Sequence, residues 1–175
     1  MENNKIELAE KNNIEKKVDV NIENKDGWTP LMEAINHNLL QIAELLIELG
    51  ANLNLKAACG WTPLMKATFY DRTEIAELLI EKGADVNIQD EDGNTALMIA
   101  VRSRNIEIAK ILLKAGADKN IKNNNGFTAL DIQKKYGRGF YIDIDREENR
   151  QELIKLLANL DFDKEEDRQE LIKLL

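Results

Sequence analysis

Between Thr95 and Gly116 the apolar residues fall into two short runs. Leu97, Met98, Ala100 and Val101 form the first, and Ile106, Ile108, Ala109, Ile111, Leu112 and Leu113 the second. Helical spacing fits both and predicts helices over roughly Ala96–Ser103 and Asn105–Ala115. The second run is apolar on several sides, so more than one neighbour must cover it. Thr95 is placed to cap the first helix and Gly116 to end the second. Ahead of them, Asp90-Glu91-Asp92-Gly93 reads as a tight hairpin turn.

The pattern recurs. Gly27, Gly60, Gly93 and Gly126 follow one another at 33 residues, and Gly50, Gly83 and Gly116 keep the same interval. Thr29-Pro30 and Thr62-Pro63 stand where Thr95-Ala96 stands, a cap followed by proline at the first helical position. A period of this length predicts stacked copies of one helix-turn-helix unit, none of which buries its own apolar faces. The units run 24–56, 57–89 and 90–122, with a fourth starting at 123. Such a stack offers a long binding surface and has no obligatory catalytic cleft.

The ends depart from the pattern. Residues 1–23 read as a degenerate N-terminal cap: Glu7-Leu8-Ala9-Glu10 echoes Glu74-Ile75-Ala76-Glu77, but Lys11, Asn12 and Asn13 stand where Leu78, Leu79 and Ile80 stand. Polar residues on an outward face suit a terminal unit. Residues 137–160 read as an insertion, opened by Gly137 and Gly139, followed by the second helix of the fourth unit. Residues 161–175 carry a duplicated helix, because Asp145–Leu157 and Asp163–Leu175 match at eleven of thirteen positions.

The repeated unit resembles the ankyrin repeat. The family's Thr-Pro-Leu-His-x-Ala signature appears as Thr29-Pro30-Leu31-Met32-Glu33-Ala34 and Thr62-Pro63-Leu64-Met65-Lys66-Ala67. It is looser at Thr95-Ala96-Leu97-Met98-Ile99-Ala100 and at Thr128-Ala129-Leu130-Asp131-Ile132-Gln133. The family's Gly-Ala-Asp-Val-Asn link stands intact at Gly83–Asn87. The common histidine of the signature is replaced by Met32, Met65, Met98 and Asp131. The resemblance implies an all-α solenoid of stacked helix-turn-helix units joined by β-hairpin loops.

It also implies where a partner would bind: at the hairpin tips and along the concave face of the first helices. Carried over by spacing, those positions include Trp28, Trp61, Asn94 and Phe127 after each tip glycine, and His37, Phe69, Tyr70, Arg102 and Tyr136 near the ends of the first helices. Six of the nine aromatic residues fall on this set. Tryptophan, tyrosine and arginine are the side chains that dominate interface energies.

Charge and chemistry narrow the function. The 175 residues carry a net charge of −8, and residues 143–175 hold eleven acidic against six basic side chains. That balance opposes nucleic-acid binding, which needs clustered cations. One histidine and one cysteine cannot build a metal cluster of such ligands or a disulfide. Cys59 falls at a hairpin tip with no activating partner nearby in sequence. No catalytic constellation, phosphate-cradling loop, cofactor motif or membrane-spanning run stands out. Cytoplasm is the expected compartment, although a removed leader or secretion to a host cell would leave the same sequence.

These features predict a non-enzymatic module that binds another protein, monomeric, with neither membrane nor nucleic acid as partner. Two rival readings follow from the same residues: the targeting or regulatory part of a larger enzyme system, and a structural protein that self-associates through 163–175.

Overall fold

The computed structural model describes residues 19–136 together with residues 151, 154, 155 and 157. The expected cap up to residue 18, most of the insertion and its helix, and the duplicated helix lie outside the described residues.

Seven helices follow one another between residues 30 and 136. They are α1 Pro30–Asn36, α2 Leu40–Glu48, α3 Pro63–Phe69, α4 Thr73–Glu81, α5 Ala96–Ser103, α6 Ile106–Lys114 and α7 Ala129–Tyr136. They alternate as first and second helices of successive units. Each first helix starts for the same reason. Thr29, Thr62 and Thr95 hold extended backbone, and their hydroxyls accept from the amides of Met32, Met65 and Met98 at 3.3–3.4 Å. This satisfies an amide that a helix N-terminus otherwise leaves unpaired.

The fourth unit does more. Thr128 Oγ1 accepts from the Asp131 amide at 3.2 Å, while Asp131 Oδ2 accepts from Thr128 N at 2.9 Å and from its hydroxyl at 2.7 Å. The loosest copy of the signature is thus a reciprocal cap with aspartate in the capping-box role. Those bonds from Thr128 hold the Asp131 carboxyl below the usual carboxylate range.

The loops fold back as hairpin turns, each with a bond across it. Asn24 N donates to Trp28 O, Ala57 N to Trp61 O, Asp90 N to Asn94 O and Asn123 N to Phe127 O, at 2.9–3.0 Å. Their arms are too short for a ladder, and no strand forms among the described residues.

Two kinds of glycine keep time here. Both have positive φ. At Gly60 a side chain would meet the backbone amide of Glu91 at 2.7 Å, so successive tips stack backbone to backbone. Gly83 has open space around it and needs only the left-handed conformation that ends α4.

First helices pack on first helices and second helices on second, with the first-helix layer in fuller contact. That tighter layer is the inner side of the stack. Its core holds Leu31, Leu64 and Leu97 with Ile75, Leu79, Ile108 and Leu112, all at most 1 % exposed. Met32, Met65 and Met98 are buried as well, so methionine fills the place of the family's histidine. Leu157 joins the same core, and helical Ile154 is buried.

Polar ties cross between units at the same period. Asn52 N donates to Asn21 Oδ1, Asp85 N to Asn54 Oδ1 and Asp118 N to Asn87 Oδ1, at 2.7–3.0 Å. At the start of the second helices, Arg72 donates to Asn36 O at 3.4 Å and Asn105 Nδ2 to Thr68 O at 2.7 Å. Both reach carbonyls near the C-terminus of the preceding unit's first helix, which is the end short of donors.

Candidate functional site

The tips and the C-terminal ends of the first helices lie along the inner side, and two groups of side chains stand out there. The first spans units one and two. The Trp28 ring, half-buried, lies under Lys66, whose Nζ is 3.1 Å from the ring centroid. Lys66 projects from the middle of α3 and is only 2 % exposed. Burial pushes its ammonium below the usual lysine range, and the neighbouring Cys59 and Glu33 partly restore it. Glu33 is itself held by Asn24 Nδ2 at 3.0 Å.

Beside this pair, three aromatic rings form a chain. Trp61 meets Phe69 edge to face at 5.1 Å, and Phe69 meets Tyr70 edge to face at 5.2 Å. Trp61 packs its apolar part against the core, Tyr70 is half-buried, and Phe69 is left 44 % exposed. The ring of Phe69 therefore has aromatic support on two sides and stays partly open to water. Such pairs contribute about 0.5–1.5 kcal/mol beyond burial, which holds the exposed ring in place. His37 is exposed at the C-terminal cap of α1.

The second group lies between units three and four. Asn94, Arg102, Phe127 and Lys135 line a groove of about 360 Å³, floored by Met98, Ile99 and Ile132. Asn94 is 9 % exposed and commits its amide: Nδ2 to Asp90 Oδ2 at 3.4 Å, and Oδ1 to Asn123 Nδ2 at 2.9 Å. It shapes the groove more than it offers a contact. Lys135 sets its ammonium 4.5 Å above the centroid of Phe127. Arg102 is exposed on the last turn of α5. Tyr136 ends α7, and its side chain lies outside the described residues.

The spacing therefore gathers its candidates into two patches. Phe69 touches both Trp61 and Tyr70, Trp28 stacks on Lys66 of the same helix as Phe69, and Asn94, Arg102 and Phe127 share a groove. Sequence reasoning missed Lys66. It occupies the variable place in the signature, where the other units have Glu33, Ile99 and Ile132, and the signal was a cation in a slot that the inner layer otherwise makes apolar or acidic.

The sequence profile described as "Ankyrin repeats (3 copies)" matches residues 1–90, 50–123 and 85–138. The chain belongs to the ankyrin-repeat family. No curated protein matches it. Ankyrin repeats are generally protein–protein interaction modules, and the family is typically non-enzymatic. Among the described residues of this ankyrin-repeat protein, no group of three His, Cys, Asp or Glu side chains is arranged to hold a metal ion. No helix among them is long and apolar enough to cross a membrane. Cys59 is a free, exposed thiol.

Proposed function

We propose that this chain is a non-enzymatic binding module whose partner is another protein, seated on the inner side across the hairpin tips and the ends of the first helices. The supporting observation is Phe69: a large apolar ring 44 % exposed, yet fixed between Trp61 and Tyr70. Aromatic side chains that are rigid before binding lose little freedom on contact, which is what an interface anchor requires. Trp28, His37, Arg102 and Phe127 extend the same surface to both sides.

The reading is tested by affinity capture from the source cell, comparing the native chain with Phe69→Ala/Tyr70→Ala and with Glu77→Lys on the opposite helix layer. Capture lost in the double variant and kept in Glu77→Lys, with the far-UV spectrum unchanged and melting lowered only by the loss of the two ring contacts, is the expected result. Capture lost only through unfolding, or retained in the double variant, overturns it.

A further inference from the structure

The two helix layers differ in charge. The first helices carry Lys66, Arg102, Lys134 and Lys135 against Glu33 and Asp131. The second helices carry Glu44, Glu48, Glu74, Glu77, Glu81 and Glu107 against Lys110 and Lys114. The first helices are thus net positive and the second helices net negative, while the tips beside the first helices add Asp26, Asp90, Glu91 and Asp92 against Lys25. The cations of the inner layer gather toward units three and four, where the groove lies.

We propose that the groove between units three and four binds an acidic, carboxylate-bearing peptide segment of the partner, with Arg102 as its anchor. This deepens the reading above, since it names the partner chemistry at one end of the same inner side. Arg102 is exposed and makes no hydrogen bond or ion pair among the described residues. Its guanidinium presents donors in a fork that matches a carboxylate. Lys135 stands across the groove, held over Phe127. The Phe127 face and the Met98–Ile99 floor fit the apolar part of a peptide between its acidic side chains. Among the described residues Asp92 is the one acid on the groove wall, at the tip end. It sets direction, directing carboxylates toward the helix ends where Arg102 and Lys135 are.

Local charge points the same way: among the described residues Arg102 and Lys135 outnumber Asp92 along the groove, and complementary charge steers an acidic segment to them. A nucleic-acid strand would need a continued line of cations to neutralise successive phosphates. Among the described residues the groove has two, Arg102 and Lys135, with Asp92 beside them.

The test is fluorescence anisotropy with two short labelled peptides, one of alternating Glu, Ser and Leu, the other with Lys in place of Glu. An unlabelled single-stranded DNA oligomer serves as competitor. The acidic peptide is expected to bind, more weakly as salt rises, and the basic one not to bind. Arg102→Glu should weaken acidic-peptide binding about tenfold or more, as loss of a matched charge does, while Glu77→Lys should leave it unchanged. Melting of each variant shows that the fold is kept.

Equal binding of the two peptides, no binding of the acidic one, or indifference to Arg102→Glu overturns the proposal. So does DNA that displaces the peptide at lower concentration than the unlabelled peptide itself. If these fail while Phe69→Ala/Tyr70→Ala still abolishes capture, the inner side remains the binding face and only the acidic chemistry falls. If capture survives both sets of changes, the wider reading falls too.

Discussion

Lys66 is 2 % exposed, with its ammonium against the Trp28 face and no carboxylate bonded to it among the described residues. A cation–π contact of this kind gives back about 2 kcal/mol when desolvated, while burying an ammonium costs several. The burial cost is the larger of the two, and burial pushes the Lys66 ammonium below the usual lysine range. The folded chain holds this proton less tightly than the unfolded one. Stability therefore stays at its lower level while Lys66 is charged in both states, and recovers as pH rises through the lowered pKa toward the ordinary lysine value. Lys66→Met keeps the length and sets a thioether against the ring. It is expected to leave stability unchanged or raise it by about 1–2 kcal/mol in denaturant titration, and to remove the alkaline recovery. A loss of stability instead would mean that the ammonium is a net tie between the first two units.

Among elements, the second helices show how much each unit owes to its neighbours. Ile42, Ile75 and Ile108 stand at one position of the repeat. Ile75 and Ile108 are fully buried between units, while Ile42 is 46 % exposed, with Leu39, Leu45 and Leu49 exposed along the same helix. Ile75→Ala should cost about 2–5 kcal/mol, the range for a truncation that leaves a cavity, and Ile42→Ala clearly less. Equal costs in denaturant titration would show that α2 is covered as fully as α4 and α6.

The same comparison shows what the sequence carries. The helix expected at Ala96–Ser103 has those bounds, and the one expected at Asn105–Ala115 runs Ile106–Lys114. Caps, periodicity and glycines are local signals repeated at one interval, so they are legible. The ties through Asn21, Asn54 and Asn87 are not legible in the sequence, although their residues recur visibly. Their partners lie 31 residues on, and spacing alone does not say which way an amide turns. For the same reason the candidate positions could be placed on one side of the stack, but not sorted into an aromatic patch and a cationic groove. The burial of Lys66 and of Asn94 depends on the neighbouring unit's side chains, which the signature leaves variable.

For the molecule as a whole, the repeat gives one long inner side with two kinds of surface on it. Aromatic rings dominate units one and two, and cations with an amide-lined groove dominate units three and four. A single extended partner can use both, its apolar anchor at Phe69 and its acidic part at Arg102. The most direct measurement is amide hydrogen exchange of the chain with and without its captured partner. New protection is expected over the tips and the C-terminal halves of the first helices, in segments 27–37, 60–70, 93–103 and 126–136, with α2, α4 and α6 unchanged. Protection confined to α2, α4 and α6, or to residues 163–175, would contradict the account.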